Sequence, residues 1–156
     1  MLTAMLQAFL GLLLAAVIPA AQAEGKSELD RFREAIRARY DLKEKAFAEN
    51  KPDLVVDQFY SEDVISVDHE GKVHQGREAL RAIYREVVPG NTVRVSSIHS
   101  HVEGNTGWDW ANFHVTPKDP AQQPFSFIIL FLWEKRDGKW WCVGDMYTLG
   151  EMASPG

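Results

Sequence analysis

The chain has 156 residues, one domain by length, and its 46% apolar and 11% aromatic content is enough to build a core. Its formal net charge is -5 with acids and bases interspersed, which argues against a nucleic-acid partner, because such a partner selects a basic patch. Cys142 is the only cysteine, so no intrachain disulfide can form and the fold must rely on its core.

The first segment, "MLTAMLQAFLGLLLAAVIPAAQAEG", carries no charged side chain before Glu24. Its apolar run is roughly a dozen residues, short for a bilayer span. It ends in Ala21-Gln22-Ala23, the small-x-small pattern of a signal-peptidase site. Residues 1–23 therefore read as a signal peptide and 24–156 as a single domain, periplasmic or secreted, with no stable membrane anchor after cleavage. An uncleaved anchor is the alternative, since no Lys or Arg follows Met1 in this run.

"SELDRFREAIRARYDLKEKAFAEN" has apolar residues at Leu29, Phe32, Ile36, Tyr40 and Phe47, with Lys43 in the gap, which describes one helical stripe. Ser27 and Asp30 resemble a capping box at its start. "KPDLVVDQFYSED" reads as a short second helix with Pro52 in its first turn. "DVISVD" is a β-branched strand. "GREALRAIYREVVPG" is a third helix, apolar along Leu80, Ile83, Tyr84 and Val87, and stopped by Pro89-Gly90. Four strands follow: "TVRVSSIHSHV", "WDWANFHVT", "FSFIILFLWEK" and "WWCVGDMYTL". Helices segregated from a run of strands predict an α+β fold, with a curved antiparallel sheet over three N-terminal helices.

The element order, "FYSEDVISVDHEG", "QGREALRAIY" and the closing "EKRDGKWWCVGDMY" resemble the nuclear transport factor 2-like superfamily, nearest its SnoaL-like and ketosteroid-isomerase-like members. That resemblance implies a cone-shaped sheet with a pocket at its open end, and a homodimer. It implies no particular activity, because the superfamily holds both enzymes and binders. In the isomerase branch, an aspartate ending the first strand is the general base, and Asp68 falls there. The branch's oxyanion tyrosine position falls on Lys43, with Tyr40 three residues earlier. The position of its second acid falls on Leu130. Losing one oxyanion donor typically costs about 100- to 1,000-fold in rate, so ketosteroid isomerisation itself is not expected.

Other residues offer a rebuilt site. By the period of two, Trp141, Val143, Asp145 and Tyr147 share one strand face, and Trp108, Trp110, Asn112 and His114 share another. Aromatic walls with a few placed polar groups suit a ligand pocket; the alternative for the tryptophans is a packed interface. The expected catalytic residues are Asp68, Tyr40 and Asp145. Trp108, Trp110, His114, Leu130 and Tyr147 are the expected ligand contacts. Asp68 has a second reading, as a cap of the Gly71 turn; in a pocket rim, desolvation would raise its pKa. His99 and His101 share a face but lack further ligands, so no metal is expected. The functional expectation is a small apolar ligand, with cofactor-free isomerisation, dehydration, cyclisation or epoxide ring opening. A non-catalytic ligand-binding or dimerisation module is the alternative.

Overall fold

The computed structural model describes residues 25–153, so residues 1–23, expected to be a signal peptide, lie outside the described residues. The order is α1 (Glu28–Ala48), α2 (Pro52–Phe59), β1 (Tyr60–Val67), β2 (Val73–Gln75), α3 (Arg77–Val87), β3 (Asn91–Glu103), β4 (Thr106–Pro117), β5 (Phe125–Arg136) and β6 (Lys139–Leu149). Ser27 caps α1, its Oγ accepting from the Asp30 amide at 3.1 Å. The stripe Phe32, Ile36, Tyr40, Lys43 and Phe47 is buried. Arg37 and Glu44 tie α1 to β3. The guanidinium donates to the Val95 carbonyl at 2.6 Å, and Glu44 accepts from the Val95 amide at 2.9 Å. Arg81 holds α3 to α2 through Asp53 and Asp57, at 3.0 and 2.7 Å.

The six strands form one sheet in the order β2-β1-β6-β5-β4-β3. It is mixed rather than wholly antiparallel, because β1 runs parallel to β6. Two local differences from the sequence reading stand beside this. "YSED" opens β1 instead of ending a helix, and "VHQ" forms the short edge strand β2. β1 is held by its parallel partner β6, far along the chain, and β2 by antiparallel pairing with β1 across the Gly71 turn; local propensity reports neither pairing.

An aromatic cluster fills one end of the core. Tyr40 packs on Phe131 at 5.3 Å between ring centroids, and Phe59 on Trp133 at 5.3 Å. Such pairs each contribute about 0.5–1.5 kcal/mol beyond the area they bury. All four rings are at most 1% exposed. The space left open lies away from them.

Candidate active site

A cavity of about 190 Å³ lies between α1, α3 and the inner face of the sheet. Its walls are mostly apolar, among them Phe47, Ile83, Phe113 and Ile129. Val87 and Phe125 also line it and are 37% and 43% exposed, which marks its mouth. The volume is below the ~300–1,000 Å³ usual for drug-sized ligands, so it suits a small molecule.

Polar groups from four elements meet in one part of the wall: Lys43 of α1, Tyr60 and Ser66 of β1, Tyr84 of α3 and Asp145 of β6. The Tyr60 hydroxyl is the hub. It donates to Asp145 Oδ2 at 2.9 Å and accepts from Lys43 Nζ at 2.8 Å. Its single proton is thereby committed, so the 2.6 Å contact with Tyr84 Oη has Tyr84 as donor. Lys43 is 1% exposed, with Nζ 4.3 Å from the Phe59 ring centroid and 4.8 Å from that of Tyr60. Those ring faces partly replace water for the cation.

The electrostatics follow from burial. Desolvation pushes the Lys43 ammonium down to about 8, against the opposing pull of Asp145. It raises the Asp145 carboxyl, with Lys43 opposing it in turn. Tyr60 and Tyr84 are held well above their ordinary value by burial and then by the charge of Asp145, so both stay protonated donors at neutral pH. Asp145 Oδ1 is buried and has no hydrogen-bond partner. Ser66 stands opposite Asp145 in the parallel register and favours its charged form, but without hydrogen-bond geometry to Oδ1.

Asp145 and Tyr147 reach the cavity, but not by the simple alternation expected from Trp141. Leu132 pairs with Gly144 while Trp133 pairs with Cys142, so Val143 is an extra residue on β6. This bulge shifts the pleat by one. Cys142 and Asp145 are both buried, on the core side of the sheet.

The remaining expected site residues are elsewhere. Tyr40 does not line the cavity; its hydroxyl donates to the buried Asp109 at 2.7 Å, beside Ser97 and Ser100. Trp108, Trp110, His114 and Leu130 lie on the outer face, because Asp109, Ala111, Phe113 and Val115 take the core face of β4. Leu130 pairs with Trp110 there, and His114 bonds Ser126 at 2.9 Å. Asp68 caps the turn made by Gly71, whose φ is +83°. Its Oδ1 accepts from the amides of Glu70 and Lys72, at 3.0 and 2.9 Å. Its Oδ2 lies 3.1 Å from Nε2 of His74, which does line the cavity. The expected upward shift is reversed: the His74 hydrogen bond and the turn amides hold Asp68 below the usual carboxylate range. Asp68 can orient His74 but lines no part of the cavity itself. Among the described residues, no three His, Cys, Asp or Glu side chains gather as a metal-binding group.

Lys43, Tyr60 and Tyr84 were absent from the expected site. Lys43 carried a signal, a lysine inside an apolar helical stripe and at the position of the isomerases' oxyanion tyrosine. Tyr60 and Tyr84 carried none, being indistinguishable from core aromatics.

The profile of the SnoaL-like domain matches residues 36–143. No curated protein matches the chain in sequence. Solved structures share the fold at low identity. A ketosteroid isomerase-like protein from Erwinia carotovora atroseptica has a TM-score of 0.61 at 16% identity, covering 76% of this chain and 96% of that one. An NTF-2 like protein of unknown function from Shewanella oneidensis has 0.65 at 14%, covering 74% and 98%. A protein of unknown function from Mycobacterium tuberculosis has 0.68 at 18%, covering 79% and 75%.

Proposed function

This chain belongs to the SnoaL-like domain family, and on that premise we propose that it holds a small, mainly apolar molecule by one oxygen function and moves a proton on it without a cofactor. The observation that carries this reading is Asp145, a buried carboxylate that lines the cavity and whose Oδ1 has no partner of its own. An unpaired buried acceptor costs about 1–3 kcal/mol, and a ligand proton would satisfy it. Burial brings the carboxyl towards neutral pH, where a general acid or base works best. Lys43, which lines the cavity and spends one of its N–H groups on Tyr60, supplies a cation where negative charge on a ligand oxygen would develop. Isomerisation, dehydration and ring opening all fit this set.

A thermal-shift panel of small alcohols, phenols, cyclic ketones, epoxides and short terpenoids tests it. Expected are ligands that raise the melting temperature, and an Asp145→Asn variant that keeps binding but loses about 100- to 10,000-fold in turnover. Undiminished turnover in Asp145→Asn would remove the catalytic reading and leave a binding module.

The same proposal includes export and a homodimer. Export rests on the Ala21-Gln22-Ala23 pattern. The dimer rests on the outer sheet face. Ile65, Gly144, Leu132 and Trp108 form one register row, with Ile65 40%, Leu132 43% and Trp108 36% exposed. Met146 stands beside this row at 51%. Contiguous apolar surface of this kind favours a partner sheet.

A further inference from the structure

Lys43 differs from an ordinary buried lysine in what surrounds its nitrogen. Among the described residues it has no direct ion pair; its link to Asp145 runs through the neutral Tyr60 hydroxyl. Five aromatic rings stand within 5.4 Å of Nζ, those of Phe59, Tyr60, Tyr84, Phe113 and Phe131. The side chain nonetheless lines the cavity. An amine desolvated in an apolar pocket, next to a relay of hydroxyls and a carboxylate, is the arrangement that activates lysine as a nucleophile towards carbonyl carbon.

We propose that Lys43 condenses with an aldehyde or ketone held in the cavity, forming an imine, so that carbonyl compounds are the ligand class of this site. This rests on the cavity being a ligand site, as proposed above. The steps balance without any further reagent. The ammonium passes one proton through Tyr60 to Asp145. The free amine adds to the carbonyl carbon, forming the C–N bond, and the π electrons move to oxygen. A proton shifts from nitrogen to that oxygen, giving the carbinolamine. Asp145 then returns its proton through Tyr60 to the hydroxyl, which leaves as water. The product is a protonated imine, and the carboxylate is regenerated. The iminium withdraws electrons from the adjacent carbon, and Asp145, which lines the same cavity and has one oxygen without a partner, is the base for it.

The groups facing Lys43 are Tyr60 from β1, Tyr84 from α3, and Cys142 and Asp145 from β6. Of these, Tyr60, Tyr84 and Cys142 are all held well above their ordinary values. They stay neutral at pH 7.5, so Lys43 governs the amine chemistry there. With its ammonium near 8, about a quarter of Lys43 is the free amine at that pH, against roughly 0.1% for an exposed lysine near 10.4.

The purified protein is incubated at pH 7.5 with butanal, hexanal or cyclohexanone and sodium cyanoborohydride, then digested and mapped by mass spectrometry. Expected is one reduced adduct on the Lys43 peptide, at least about tenfold above any exposed lysine, as the free-amine fractions allow. It should be absent in Lys43→Arg, while the surface background persists. Adducts spread over the exposed lysines, or none, overturn the proposal; because the wild-type map decides, poor folding of the variant does not matter. Calorimetric titration of the same three compounds without reductant separates the two readings. Binding without a Lys43 adduct refutes the imine and leaves the ligand site standing. Neither binding nor adduct sinks both.

Discussion

The most direct physical consequence of the site concerns Lys43 and pH. Its ammonium is held near 8 in the fold against an ordinary 10.5. Above both values the amine is neutral in folded and unfolded chains alike; below both it is charged in each. Between them the unfolded chain holds a proton that the fold has shed. Stability therefore rises with pH through this window, since it rises wherever the unfolded state binds more protons. Integrating from pH 7.5 to 10 gives a gain of roughly 2 kcal/mol from this one group. Other groups act in the opposite sense at the upper end. Cys142, Tyr60 and Tyr84, all raised by burial, ionise first in the unfolded chain. The clean observable is therefore the difference between wild type and Lys43→Met, in which those contributions largely cancel.

At any single pH that difference mixes lost packing with the lost Tyr60 hydrogen bond, but its slope does not. Urea unfolding at pH 7.5, 8.5, 9.25 and 10 measures it. Wild type should gain about 2 kcal/mol on the variant across the series. Parallel pH profiles, constant to within about 0.5 kcal/mol, would refute the claim that this lysine is charged at the fold's expense.

Three further outcomes are expected. Tyr40→Phe removes one donor from the buried Asp109 carboxylate and should lower stability by about 1.5–3 kcal/mol, without weakening any ligand found for the cavity; lost binding with unchanged melting would return Tyr40 to the site. Leu132→Glu places a charge at the centre of the outer apolar row, and light scattering at micromolar concentration should show dimer for wild type and monomer for the variant. Monomer for both argues against sheet-to-sheet assembly. Intact mass of the protein recovered from its native host should begin at Glu24, and a chain retaining Met1 in the membrane pellet would contradict cleavage.

The fold was legible because its determinants are local and repeated. The α1 stripe, the long apolar run of "FSFIILFLWEK" and the turn at Asp137-Gly138 each specify an element by themselves. The parallel pairing of β1 with β6 was not legible, because it joins segments far apart in the chain. The site was less legible, for three separate reasons. Period two gives two faces of a strand but does not say which is inside, and on β4 the core face belongs to the less aromatic set. The Val143 bulge breaks the alternation on β6, so the face shared by Cys142 and Asp145 has no sequence signature. The resemblance to the isomerase branch implied a catalytic base at Asp68, yet turn amides and His74 already occupy both its oxygens.

Two buried carboxylates on neighbouring parts of the same sheet make the functional argument by contrast. Asp109 is fully buried and accepts three hydroxyl donors, Tyr40, Ser97 and Ser100, at 2.7–2.8 Å. Both its oxygens are engaged, and it lines no cavity. That is what structure alone asks of an interior acid, since an unsatisfied buried acceptor costs free energy and supplies no packing. Asp145 is 7% exposed, yet one of its oxygens has no donor. The chain has hydroxyls within reach and does not use them there: Ser66 lies opposite without bonding Oδ1, and Tyr60 and Tyr84 are spent on one another and on Oδ2. Asp145 lines the cavity, beside a lysine whose proton is loosely held. A carboxylate oxygen left unsatisfied on a cavity-lining residue, in a fold that satisfies both oxygens of Asp109, is where strain is retained for a task. The contrast has a measurable form: Asp109→Asn should leave ligand binding intact, whereas Asp145→Asn should alter the chemistry of whatever the cavity holds. Equal effects of the two on turnover would mean that the open oxygen of Asp145 has no functional meaning.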